Sequence, residues 1–288
     1  MSLMHMLSIG AGLIIVFVLA YFILRQKKKV LNEQKKGIQL IVQVKELVTN
    51  LQKHRGWCSA YLRGDHSVIL DIQNLQKEIK RISMQLEHQN NVNKFERWFG
   101  YSEHWSRLSK ATLTLSSENS FKQHTQLIGN MLYLLEDIAE SHFLTADVLR
   151  EFPSISLLWR ELLQVAECVG QSRALGTGVA TVKVCSRVEK IRLGFLRQKI
   201  TETAEVTYAQ LKDHNLITAN AQLDKLVEHA SKQTRYLCSV IEHELVDCDV
   251  IKLDAKAYFA LATEAMGSLN QIFDSKLKEL ESHLNKNA

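Results

Sequence analysis

Two stretches of this chain set an arginine into an otherwise apolar or small-residue seam. The first is Ile41, Val44, Val48, Leu51, Arg55, Cys58, Leu62, and the second is Leu162, Ala166, Val169, Arg173, Gly176, Ala180. Steps of three and four place each set on one face of a helix, the face that enters a bundle core. A guanidinium keeps its charge there, because its pKa stays above about 12. Each arginine therefore needs an anion, supplied by a ligand or by a carboxylate of the chain such as Glu136 or Glu167. Each is followed by a small residue (Gly56, Ala174) and, four positions on, by a hydroxyl (Ser59, Thr177). A hydroxyl one turn along the same face can fill lone pairs that the guanidinium fork leaves free. A small planar oxyanion fits that chemistry, and an internal ion pair is the competing reading.

Other chemistries lack their residues. The sequence has no G-x-S-x-G elbow, no P-loop and no glycine-rich dinucleotide turn. His243-Glu244 opens like a zinc-protease motif, but Asp247 stands where the second histidine belongs. Without a Glu-x-x-His pair the di-iron bundle is excluded, and without C-x-x-C a zinc or iron–sulfur site is not expected. The five cysteines (58, 168, 185, 238 and 248) are odd in number and unpaired in spacing, unlike an extracellular disulfide framework. No catalytic residue and no cofactor are expected; the chain reads as a non-enzyme.

The elements that must position the arginines are helical. With one Pro and 12 Gly in 288 residues, few signals break helices. Apolar periodicity predicts helices over about 30–62, 68–88, 120–143, 186–212, 219–245 and 254–284, and another after Pro153. The Asp213-His214-Asn215 triplet is read as a turn closing one of them. The fold class expected is all-α, an elongated up-and-down bundle or two bundles side by side. Phe95, Trp98, Phe99, Tyr101 and Trp105 read as an apolar plug between helices.

An apolar run without charge begins at Leu7 and ends at Leu24, just long enough to cross a bilayer, for which roughly 17–25 residues are needed. Arg25, Lys27, Lys28 and Lys29 follow it, so a retained N-terminal transmembrane helix is expected rather than a cleaved signal. The domain division is then 1–29 for the anchor with its basic flank and 30–288 for the helical domain. The net charge is +5, and the basic residues between 25 and 36 carry all of it. Nucleic-acid binding is therefore not expected, since the remainder is balanced. The positive-inside rule places the chain as a single-pass protein of the cell inner membrane with its C-terminal domain in the cytoplasm.

At this point the residues resemble a family. Leu51-Gln52-x-x-Arg55-Gly56, followed by small residues and an aromatic, is similar to an element of the nitrate- and nitrite-sensing domain family. Gly170-Gln171-Ser172-Arg173 resembles that family's second, G-x-x-R element. Asp254-Ala255-Lys256-Ala257-Tyr258-Phe259 with Ala262-Thr263 and Leu269 resembles its closing helix. The resemblance spans about 37–284. It implies two four-helix bundles with nitrate or nitrite held between them by arginines, here Arg55 and Arg173, with Arg235 as a further candidate; Ser59 and Thr177 join them from the spacing alone. The family usually has Glu where this chain has His54, which makes His54 a candidate ligand-side residue that departs from the pattern. The resemblance further implies an output through a protein partner, with homodimer formation left open. The other reading is a membrane-anchored scaffold or protein-interaction bundle whose arginines are paired internally.

Overall fold

The computed structural model describes residues 3–89, 92–218 and 220–286, with side chains from residue 17 on except at 89 and 214–218. Among the described residues every regular element is helical. Helix α1 (Leu3–Tyr61) is followed by α2 (Ile69–Gln89), α3 (Glu96–Ala111) and α4 (Ser117–Ser141). A short turn, α5 (Ile155–Leu157), and a π-helical turn (Leu158–Leu162) lead into α6 (Leu163–Val182). Then come α7 (Arg187–Thr218), α8 (Ala221–Val240) with a π-helical continuation (Ile241–Val246), and α9 (Ala255–Lys286).

Local chemistry sets several of these boundaries. Gly64 adopts φ +105°, which lets the chain turn sharply after α1. Ser116 caps α4 by accepting from the Asn119 amide, and Asn220 caps α8 by accepting from Gln222 and Leu223. The turn expected at 213–215 does not form: α7 continues through it to Thr218. Asp, His and Asn are poor helix formers but not breakers, and neither Pro nor Gly is present to stop the helix.

The helices pack in two groups. The part of α1 beyond residue 30 packs on α2 and α4, and α3 packs on α4. In the second group α6 packs on α7 and α9, and α8 packs on α7 and α9. The groups meet where α1 touches α6 and α9 and where α4 touches α6. Helix α6 is thus covered on most sides. Leu163, Val165, Ala166, Cys168, Val169, Leu175, Val179 and Ala180 are all buried, which removes the usual polar face from its sequence. A single apolar cluster runs through both groups, from Ile38, Leu47 and Ile82 to Leu237, Phe273 and Leu280.

The membrane anchor is corrected by this structure. Among the described residues no helix is long and apolar enough to cross a membrane. The described side chains of the apolar run cover only 17–24, and Arg25 with Lys27–Lys29 ends it there. A span requires roughly 17–25 apolar residues, and no helix among the described residues offers them. Residues 7–16 of the run lie outside those whose side chains are described. The single-pass placement in the inner membrane, which rested on this anchor, is withdrawn with it.

Close approach of α6 and α9 depends on Gly176. The Tyr258 ring of α9 lies against it, so a Cβ would run into the ring, and the Tyr258 hydroxyl donates to the Ser172 carbonyl at 2.9 Å. By contrast, a Cβ at Gly267 of α9 meets nothing within 4 Å. Gly176→Ala should lower unfolding free energy by about 1–3 kcal/mol through overpacking, whereas Gly267→Ala should raise it by about 0.5–1 kcal/mol. Denaturant melts of the two variants check this opposition of sign.

Candidate functional site

Arg55 projects from the last turns of α1 into the contact with α6. It is 1% exposed and meets Glu167, which is 2% exposed. The guanidinium grips the carboxylate with both arms, Nη1 to Oε1 at 2.5 Å and Nη2 to Oε2 at 3.2 Å. Gln52, one turn before Arg55, donates to Oε2 at 2.9 Å, and Gln171 donates to Oε1 at 2.9 Å. Arg55 Nη1 also donates to Thr125 Oγ1 of α4 at 3.2 Å, and the guanidinium lies 5.5 Å from the Phe121 ring centre. Gly170 leaves room for Nη2, since a Cβ there would stand 3.1 Å from it. Helices α1, α4 and α6 are therefore tied by one ion pair with three further hydrogen bonds and one cation–π contact. The Arg55 Nε is buried with no partner among the described residues.

Arg173 stands on a different side of α6, facing α9. Its Nη1 donates to Thr263 Oγ1 at 3.0 Å, and the guanidinium sits 5.0 Å from the Phe259 ring centre. Among the described residues no carboxylate bonds it directly. Burial pulls the Arg173 guanidinium below its ordinary pKa; Arg55 adds to that and Glu167 opposes it. These effects place the two arginines and Glu167 within electrostatic reach of one another. One turn on, the Thr177 hydroxyl is buried with no partner among the described residues. Ser59 is also buried, on α1 one turn past Arg55.

The remaining candidates lie elsewhere. Arg235 folds back on its own helix, donating to the Ser231 carbonyl at 3.2 Å and the Ser231 hydroxyl at 2.6 Å. It is not brought to Arg55 or Arg173. His54 precedes Arg55 by one position, which turns its side chain about 100° around α1, toward the interior of the first group of helices. Arg63, which sequence reasoning missed, belongs with the α1–α6 contact. Its guanidinium occupies the space that a side chain at Gly178 would need, with Nη1 buried and unpartnered and Glu189 3.9 Å away. The small residues at 174, 176 and 178 were the only sign in the sequence that something large approaches α6 there.

His54, His124 and Cys58 form a second polar cluster, each 0% exposed. His124 Nδ1 lies 2.7 Å from the Ser120 carbonyl, which can only accept, so that nitrogen carries the proton. His124 Nε2 then accepts from His54 Nδ1 at 2.8 Å, and His54 Nε2 accepts from the Gln76 amide at 3.2 Å. Cys58 Sγ lies 3.5 Å from His54 Nδ1. Burial, reinforced by His124, drops His54 to about 3. Burial also drops His124 to about 4, with its bond to Ser120 opposing and Arg55 adding to the fall. The same burial pushes the Cys58 thiol up to about 11, which makes it a poor nucleophile.

Comparison with known proteins adds one finding. A solved structure, that of the NasR transcription antiterminator, superposes with a TM-score of 0.66 at 17% sequence identity, covering 93% of this chain and 74% of that one. At that identity the likeness speaks for the fold. No family model matches the chain, and no curated protein matches it in sequence.

The two buried histidines give the protein a specific acid sensitivity. Their pKa values are depressed in the folded state, so the stability they contribute is complete above the unfolded value near 6.5 and is lost as pH falls toward 4 and 3. Unfolding free energy should therefore decline on acidification from pH 7 to pH 4, with a slope reaching at most about 1.4 kcal/mol per pH unit for each ring. His124→Gln should flatten that slope in denaturant melts taken across the range. A wild-type slope unchanged by the substitution would show that other groups govern the acid limb.

Proposed function

We propose that this chain is a sensor module that binds a small oxyanion, nitrate or nitrite, at the contact between its two groups of helices. It signals to a protein partner and catalyses nothing. The observation that carries the reading is the charge balance between Arg55 and Arg173: Glu167 is gripped by Arg55, and among the described residues no carboxylate bonds Arg173. One positive charge is left over, which matches a monovalent anion. Arg173 offers its fork beside Thr263, and Thr177 has a buried hydroxyl without a partner one turn away. A planar oxyanion accepts from both kinds of group. The family resemblance of the motifs at Arg55 and Arg173 supports nitrate or nitrite as the class of ligand.

An anion bound there would draw Arg173 and Thr177 of α6 toward Thr263 of α9 and relieve the repulsion between Arg173 and Arg55. Those helices also touch α1, so the bound and free states would differ at the contact between the groups. The closed Arg55–Glu167 pair favours a second reading, an interaction scaffold in which the chain's own carboxylate holds the place of any ligand.

Thermal unfolding of the full chain in sodium nitrate, nitrite and chloride at matched ionic strength separates the two. The sensor reading expects a saturable rise specific to nitrate or nitrite, worth about 2.7 kcal/mol at one hundred times the dissociation constant. Arg173→Ala should abolish the rise while leaving the melt without added anion nearly unchanged, since no carboxylate depends on Arg173. Equal responses to all three salts would establish the scaffold reading instead.

A further inference from the structure

We infer that His54, Cys58 and His124 form a copper(I) site inside the first group of helices, independent of the anion site. Their ligand atoms lie within 4.8 Å of one another, and all three residues are buried. His54 and Cys58 are one helical turn apart on α1 and face the same way. His124 comes from α4, so the three donors converge from two helices rather than lying along one. The directions are fixed by neighbours. The His124 Nδ1–H is committed to the Ser120 carbonyl, which aims the Nε2 lone pair at the cluster, the arrangement by which second-shell bonds orient a metal-binding imidazole.

Size and charge select the ion. Bonds of about 2.0–2.1 Å to nitrogen and about 2.3 Å to sulfur give a trigonal site edges of roughly 3.5–3.8 Å. The edge from Cys58 Sγ to His54 Nδ1 is already 3.5 Å, and the two rings, now 2.8 Å apart, need to part by roughly 0.7 Å. Thiolate and imidazole donors suit copper(I). A zinc ion prefers a fourth ligand, and the three donors here bring no carboxylate. One monovalent ion with one thiolate is neutral, whereas zinc would leave a net positive charge buried near Arg55, a costly arrangement.

The proton balance closes without another reactant. Cys58 releases its proton to solvent on binding sulfur to copper. The proton on His54 Nδ1 passes by tautomer exchange to Nε2, where the Gln76 amide turns to accept it through its oxygen and gives up the bond its nitrogen now donates to the Ser109 carbonyl at 3.0 Å. Copper(I) then takes the position of the hydrogen atom that now joins His54 to His124.

The test uses the full chain, reduced and free of oxygen, titrated with copper(I) against a chelator of known affinity. One equivalent should stay with the protein after desalting, and X-ray absorption should show one sulfur and two nitrogen donors at the metal. Cys58→Ala and His124→Gln should each lose that equivalent, while Cys168→Ala and Cys238→Ala keep it. Metal-free thermal melts show whether the variants are folded, and the absorption spectrum of the unaltered chain decides the ligand set if they are not. No copper retained, copper retained in folded Cys58→Ala, or zinc retained in place of copper would overturn the assignment. In the first case the cluster is only a closed hydrogen-bond chain.

Discussion

The Arg55–Glu167 pair is the constraint on which the arrangement of helices depends. A guanidinium and a carboxylate, both almost fully removed from water, each forfeit several kcal/mol of hydration. They recover it only in a fixed geometry with the remaining lone pairs and protons satisfied. Gln52, Gln171 and Thr125 supply most of those contacts from α1, α6 and α4, with the Arg55 Nε left without a partner among the described residues, so the pair dictates where the three helices stand. Apolar burial would hold them together in many registers; the pair accepts one. Gly170 and Gly176 then make sense as the positions where α6 must let Arg55 and Tyr258 come close.

The same pair defines what the contact can do chemically. Glu167 satisfies Arg55 and leaves Arg173 with a hydroxyl, an aromatic face and solvent. The asymmetry between two arginines in matched sequence settings separates structure from recognition. One charge joins the helices, and on the proposed reading the other is left for an anion. The three elements that resemble the sensing family acquire distinct tasks on this view. Gln52 and Arg55 of the first hold Glu167. Gly170 of the second makes room for Arg55, while its Arg173 bears the free charge. Tyr258 of the third braces α6, and its Phe259 and Thr263 flank Arg173.

Much of this was legible before any coordinates, and the failures have physical causes. The seams at Arg55 and Arg173 were read correctly as faces: Ile41, Val44, Leu51 and Cys58 are buried, as are Leu162, Val169 and Ala180. Glu167 could be named as a partner from its type, but not chosen over Glu136, because pairing between α1 and α6 is a long-range contact with no local signal. Helix α6 hid its partners because burial on most sides leaves no polar face to read. His54 is a candidate for the arginine site because it stands where the resembled family usually has Glu, but one step along a helix turns a side chain toward a different neighbour. The anchor was read from an apolar run that is not met by a spanning helix among the described residues. The 213–215 turn failed because weak helix formers do not end a helix that packing supports.

A double-mutant cycle on Arg55 and Glu167 tests the central claim most directly. Arg55→Met and Glu167→Leu should each cost about 3–5 kcal/mol of unfolding free energy, because each strands a buried charge. The double variant should recover most of that loss, giving a coupling energy of several kcal/mol, since well-packed apolar residues replace a buried pair at little net cost. Additive losses in the double variant, or single variants that unfold like the original chain, would contradict the account: the helices would then be held in register by apolar packing alone.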